Sequence, residues 1–175
     1  FGFLPFDKVR DKDSPASICL ICEIAAWAKD QGKTLYDVLM DIYIEFGFSQ
    51  EFTINVVRPG KTGADEIKAM MENFRNNPPK ELGGSEVCTW KDFQTLEKRD
   101  AQGNVTKLDM PATSNVLQWF CTDGTKVSVR PSGTEPKIKF YLEVKNPTMK
   151  NAADYDRCLA ESVEKIEAIK KSLNL

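Results

Sequence analysis

The densest group of hydrogen-bond donors in the sequence is Arg130-Pro131-Ser132-Gly133-Thr134-Glu135-Pro136-Lys137. Arg130 offers a planar fork of N–H donors, Ser132 and Thr134 offer hydroxyls, and Gly133 lets a backbone N–H come close to a ligand with no side chain in the way. The two prolines stiffen the stretch. Such a set suits a phosphate, whose oxygens accept several charge-assisted hydrogen bonds, each worth roughly 1.5–3 kcal/mol. Lys139, two residues further on, adds a second positive charge. The same residues also suit a tight turn whose polar groups satisfy one another, and composition alone leaves both readings open.

Other chemistries are poorly supplied. The sequence has no His, which removes His-based triads, His metal ligands and a His general base from this segment. The cysteines, five in number, stand at Cys19, Cys22, Cys88, Cys121 and Cys158 and do not read as a disulfide framework. Cys19-x-x-Cys22 has no second pair and lies in a helical apolar pattern, so these thiols are expected to be small core residues. Gly60-Lys61-Thr62 has the position of the end of a nucleotide-binding P-loop. That spacing requires Gly at 55, where Asn55 stands, and 48–59 holds no Gly at all.

The elements that must position the donor-rich loop are legible around it. Thr125 to Arg130 leads into it as a strand, paired through Asp123-Gly124 with Asn115 to Thr122, a hairpin whose two-residue loop suits a type I′ turn. Leaving it, Ile138, Phe140, Leu142 and Val144 alternate with Lys139, Tyr141, Glu143 and Lys145 as a half-buried strand does. Further strands are expected at 52–57 and 85–92. Helices are expected around Ile67, Met70, Met71 and Phe74, ending at Asn77-Pro78-Pro79, and over the closing segment with Tyr155, Leu159, Val163, Ile166, Ile169 and Leu173 on one side. The polar stretch up to Asn115 reads as a long connection. The sum is an α+β fold, a small and mainly antiparallel sheet covered by two helices.

Ahead of it, 14–47 reads as a helical hairpin. Ser14 as N-cap with Pro15 behind it starts the first helix, which carries Ile18, Ile21, Cys22, Ala25 and Ala28 and ends at Gly32. Thr34 and Asp37 form a capping box for the second, whose stripe is Leu35, Val38, Leu39, Ile42, Tyr43 and Phe46. Two amphipathic helices without a strand need another surface on which to bury those stripes. The chain opens at Phe1 inside an apolar stretch, so residues upstream are expected to supply it.

At 175 residues and 41% apolar content the chain can bury a real core, and its 24 basic and 26 acidic residues leave a net charge of only -2. No overall field draws in nucleic acid or a membrane surface, and any anion site must be local. No apolar run approaches the roughly 20 residues of a membrane helix and no signal-peptide pattern opens the chain, which makes a cytoplasmic location the expectation.

Arg-Pro-Ser-Gly-Thr-Glu-Pro at 130–136, followed by Lys-Ile-Lys-Phe-Tyr at 137–141, resembles the phosphate-binding loop of the α-D-phosphohexomutases, the phosphoglucomutase and phosphomannomutase superfamily. The likeness extends back through Pro111, Ser114-Asn115-Val116-Leu117 and Asp123-Gly124. At the start of the chain, Phe1-Gly2-Phe3-Leu4 and Val9-Arg10-Asp11-Lys12-Asp13 resemble the segment immediately C-terminal to the sugar-recognition loop in that family's third domain. The resemblance implies that 1–48 is the tail of that α/β domain, leaving the helical hairpin, and that 49–175 is the C-terminal phosphate-binding domain.

It also implies a chemistry. Members hold a phosphoserine, pass its phosphoryl group to a phosphosugar and take back the other phosphate from a bisphosphorylated intermediate, moving phosphate between C1 and C6, or C5 for a pentose. Arg130, Ser132, Gly133 and Thr134 match the clamp for the phosphate that is not reacting. Lys139 stands where many members have Arg, keeping the charge and losing the bidentate fork. Lys12 matches a lysine facing the active cleft, with a solvated charge run before a helix as its other reading. The phosphoserine loop, the Asp-rich magnesium loop and the Glu-bearing sugar loop have no match here, so no catalytic residue and no metal ligand are expected in this segment, Mg2+ would be held elsewhere in the parent isomerase, and the segment alone is expected to be inactive. Its expected partners are a phosphosugar and the remaining domains of the parent, with no nucleic acid or membrane. The alternative is a stand-alone phospholigand-binding or interaction module without a catalytic parent.

Overall fold

Ten residues of edge strand, a Gly-opened helix and a run of antiparallel hairpins account for most of the chain. The computed structural model describes residues 3–175, with Lys61 described by its backbone alone, and Phe1 and Gly2 of the opening stretch quoted above lie outside the described residues. The chain divides into two compact units, one formed by the chain up to Gly47 together with Met149–Tyr155, the other by Phe48–Thr148 with Asp156–Leu175.

In the first unit, α1 (Ser14–Asp30) and α2 (Leu35–Phe46) form the expected hairpin. The N-cap of α1 is Asp13 rather than Ser14: its carboxylate accepts from the Ala16 N–H at 3.0 Å, and a charged acceptor at a helix N-terminus outcompetes the neighbouring hydroxyl. At the other end Gly32, at φ +69°, donates to Lys29 while Lys33 donates to Ala28, the paired bonds of a Schellman stop. The Thr34–Asp37 capping box of α2 is formed in both directions. The expected apolar stripes are not buried. Ala28 and Met40 are buried, whereas Ile18 (61%), Ile21, Leu35, Leu39, Ile42 and Phe46 (76%) are exposed. Cys19 and Cys22 are exposed too, against the core reading, which holds for Cys121 and Cys158.

The second unit is built on an eight-stranded sheet: β1 (Phe48–Val57), β2 (Glu81–Leu82), β3 (Ser85–Asp92), β4 (Glu97–Asp100), β5 (Val105–Lys107), β6 (Leu117–Cys121), β7 (Lys126–Pro131) and β8 (Lys137–Asn146). The main path runs β1-β8-β7-β6-β3-β4-β5, with β2 beside β3 and every pairing antiparallel. Helices α3 (Gly60–Asn76) and α4 (Tyr155–Ser172) send Ile67, Met71, Ile166 and Ile169 into one core with Val127, Val129, Ile138, Phe140 and Leu142, so both helices cover the same face of the sheet. Period-2 alternation in β8 is complete, with Ile138, Phe140, Leu142 and Val144 all buried. The fold is α+β, as read from the pattern.

Three local expectations change. The long polar connection contains the β4–β5 hairpin. The Asp123-Gly124 turn is a three-residue loop: Cys121 N–H bonds the Thr125 carbonyl, Gly124 N–H bonds the Cys121 carbonyl, and among its residues Gly124 alone has positive φ, where a type I′ turn needs two. The buried line of α4 runs Cys158, Ser162, Ile166 and Ile169 and continues to Leu173 just past its end, leaving Val163 exposed.

That turn also ties α4 to the sheet. Asp123 accepts from Ser85 Oγ at 2.6 Å and from the Thr125 N–H at 2.9 Å, and pairs with Lys165 of α4 at 2.9 Å. Burial works against its charge, but these hydrogen bonds outweigh burial and hold its carboxyl down at about 2, from an ordinary 3.8. A depressed folded pKa adds stability that is complete above the unfolded value and lost as pH falls through the folded one. Stability should therefore drop between about pH 4 and pH 2. Asp123→Asn should cost about 1 kcal/mol at neutral pH, the figure reduced for partial exposure, and should flatten that acid limb in urea titrations at several pH values.

Candidate functional site

The donor-rich loop connects β7 to β8, the third and second strands from the β1 end of the sheet path. Its ends are held in register, Arg130 opposite Lys139 and Pro131 opposite Ile138. Ser132 N–H donates to the Lys137 carbonyl at 2.8 Å and Lys137 N–H to the Glu135 carbonyl at 2.7 Å, closing the loop on itself. Ser132 Oγ accepts weakly from the N–H groups of Thr134 (3.5 Å) and Glu135 (3.3 Å), which leaves its own proton to donate. From outside, Arg58 at the end of β1 donates its N–H to the Pro136 carbonyl at 2.9 Å. The self-satisfied turn read from composition is thus present, and it fixes the loop's shape.

It does not use up the loop's charge. Strand parity puts Lys126, Ser128 and Arg130 of β7 and Lys137, Lys139, Tyr141 and Glu143 of β8 on the sheet face opposite the helices. On that face Lys126 is paired with Glu143 at 2.6 Å, yet two rows along the same strands Arg130 and Lys139 stand directly opposite each other with no ion pair or side-chain hydrogen bond among the described residues. Facing like charges on adjacent strands are destabilising unless an anion sits between them. Glu135 does not serve as that anion: a hydrogen bond and charge from Lys137 hold its carboxyl below the ordinary range, with a smaller contribution from Lys139, and its ion pair is with Lys137.

Gly133 is not required by the backbone. Its φ is not positive, and a Cβ added there would meet nothing within 4 Å. Open space above a glycine, flanked by a free guanidinium, a free ammonium and the Ser132 and Thr134 hydroxyls, is an arrangement that can hold a phosphate-sized dianion. Arg130, Ser132, Gly133, Thr134 and Lys139 therefore come together at one end of the sheet. Lys12 belongs to the first unit, where its ammonium pairs with Asp11 at 2.5 Å.

Clefts of this unit lie at the back of the loop and away from it. One of about 430 Å³ runs between α3 and the back of the loop, lined by Ile67, Lys68, Met71, Ser132 and Lys137. Another, about 490 Å³, is floored by Phe74, Trp90, Leu117 and Trp119 and shares no residue with the loop. Its rim carries two ion pairs, Arg75 with Asp92 at 3.0 Å and Arg99 with Glu97 at 2.8 Å, and Lys91, whose ammonium lies over the Phe120 ring at 4.7 Å. Among the described residues no three or more of His, Cys, Asp or Glu gather as a metal site.

An antiparallel α+β domain carrying this loop sets the class, and sequence relatives agree with it. Residues 54–161 match the phosphoglucomutase/phosphomannomutase C-terminal domain. The chain is 35% identical over 144 residues to the phosphoglucomutase of Staphylococcus haemolyticus (strain JCSC1435), which covers 82% of this chain and 26% of that protein. It is 37% identical over 153 residues to the phosphoglucomutase of Staphylococcus aureus (strain bovine RF122 / ET3-1), covering 87% and 28%. Among solved structures, the phosphoglucomutase pp63/parafusin from Paramecium, in its open form, aligns with 94% of this chain and 28% of its own, at TM-score 0.45 and 14% identity. The chain belongs to the phosphoglucomutase/phosphomannomutase family and contains its C-terminal domain. It spans about a quarter of the length of the curated relatives it matches.

Proposed function

We propose that this chain supplies the phosphate clamp of a phosphosugar mutase, an isomerase of the phosphoglucomutase/phosphomannomutase type. The observation that carries this reading is the unpaired Arg130–Lys139 couple beside the open Gly133. In this reading Arg130 grips two phosphate oxygens, Lys139 offsets charge, and the Ser132 and Thr134 hydroxyls with the Gly133 N–H orient the remaining oxygens. The clamp holds the phosphate that is not reacting while a phosphoserine elsewhere in the protein exchanges the other one, through a bisphosphorylated sugar. Magnesium, where bound, offsets charge at the transferring phosphoryl group, and its ligands belong to the rest of the protein. Lys12 is proposed to face the active cleft.

The same reading assigns the exposed stripes of α1 and α2 to contacts with the remaining domains, 1–48 being the tail of the third domain and 49–175 the fourth. No helix of the described residues is long and apolar enough to cross a membrane. The free cysteines fit a reducing compartment, and a cytoplasmic setting is part of the proposal.

Titration of the chain with inorganic phosphate, followed through backbone amides by NMR, tests the clamp. Shifts centred on Ser132, Gly133 and Thr134 are expected, with no conversion of glucose 1-phosphate by this chain alone. An unperturbed loop at high millimolar phosphate would overturn the clamp for this chain.

A further inference from the structure

The row that contains Arg130 and Lys139 does not end at Lys139. In register, Lys139 of β8 faces Arg130 on one side and Asn55 of β1 on the other, so three adjacent strands bring Arg130, Lys139 and Asn55 to one line on the face opposite α3 and α4. Asn55 is exposed, and its side chain makes no hydrogen bond among the described residues. Asn is disfavoured in strands, and here it returns no structural bond for that cost. A residue that breaks a local rule without a structural return marks a position selected for something else.

Its chemistry differs from that of its neighbours. A carboxylate at 55 would pair with Lys139 and quench the cation, as Glu143 does for Lys126 two rows away. A neutral carboxamide leaves the charge intact and presents both donor and acceptor, the pair needed by a hydroxyl group. Neighbouring strands lie about 4.8 Å apart, so an oxyanion midway between Arg130 and Lys139 lies one and a half strand spacings, roughly 7 Å, from the strand of Asn55. A hydroxyl on the carbon frame that bears the phosphate falls at about that distance. On the loop side, Val57 is exposed on the same strand face as Asn55 and can accept the apolar edge of that frame.

We infer that Asn55 is a specificity-determining contact of the clamp, hydrogen-bonding a hydroxyl of the phosphorylated sugar and not the phosphate. The inference rests on the phosphate-clamp reading above and assigns it a discrimination between a phosphate ester of a polyol and phosphate alone.

The test compares inorganic phosphate, methyl phosphate and glucose 1-phosphate as ligands of the wild-type chain and of Asn55→Ala, by NMR. Asn55 lies on an exposed strand face without side-chain bonds, so the fold is expected to survive the change. Glucose 1-phosphate should shift the Asn55 side-chain amide in the wild type, and Asn55→Ala should weaken its binding about five-fold while leaving the other two ligands unchanged. Equal weakening for all three ligands, or none, would overturn the assignment of Asn55 and leave the clamp standing. A loop unperturbed by every ligand in the wild type would remove the clamp and this inference with it.

Discussion

Arg130→Ala is expected to weaken phosphate binding about 10- to 100-fold, the loss of one charge-assisted bidentate contact, and to leave the fold intact or slightly more stable. The two halves of that result have one cause. Arg130 faces Lys139 across the strand pair and neither forms an ion pair among the described residues, so truncation removes a repulsion that the free protein carries. The gain in the unliganded chain should be no more than about 0.5 kcal/mol, read as a higher urea midpoint at unchanged slope. Arg130→Lys keeps the charge and loses the fork, so it should recover only part of the affinity and none of the stability gain. Chemical-shift titration and denaturation on the same samples check both. Unaltered phosphate affinity in Arg130→Ala would remove Arg130 from the clamp, and a large loss of stability would assign it a structural role instead.

Gly63→Ala carries the largest expected effect on stability. A Cβ at this position in the first turn of α3 would stand 1.9 Å from the Arg58 carbonyl oxygen and 2.4 Å from its carbon, both backbone atoms that cannot rotate away. The segment is held from the other side as well, because the Arg58 N–H is bonded to Pro136 in the loop. Either α3 or the end of β1 must shift. The expected cost is about 3 kcal/mol, which at this chain length lowers the melting temperature by roughly 10 °C. The loop should follow, with the Glu135 and Lys137 amides on either side of Pro136 perturbed in the NMR spectrum. Contrast comes from Gly133→Ala, which meets nothing within 4 Å and should leave the melting temperature unchanged. A melting temperature preserved in Gly63→Ala would show that the helix start can move freely.

What could be read from the sequence divides along physical lines. The capping box at Thr34, the limits of β3 and the alternation of β8 were legible because each depends on neighbours in the chain or on burial of one full face. β4 and β5 were not. They are four and three residues long, hold charged residues such as Glu97, Lys98 and Arg99, and form the end of the sheet path, where burial imposes no apolar period. The stripes of α1 and α2 were correctly seen as apolar, but apolarity does not say what covers a helix face, and most of those residues are exposed. At the candidate site, Arg130, Ser132, Gly133, Thr134 and Lys139 stood out because they are close in sequence. Asn55 and the Arg58 N–H did not, since only the register of β1 with β8 brings them there, and nothing local to 55–58 encodes that pairing.

The bonds that close the loop on itself bear on how strongly the proposed clamp would hold one anion. Fixing a backbone residue costs about 1–2 kcal/mol in conformational entropy, and a flexible segment of this length would levy that cost at every encounter. Here the two ends are set by strands already in register, and Ser132, Lys137 and Pro136 are tied down before any ligand arrives. The ordering is complete when the sheet folds, so the attraction that the proposed clamp would exert on an anion would be left largely undiminished.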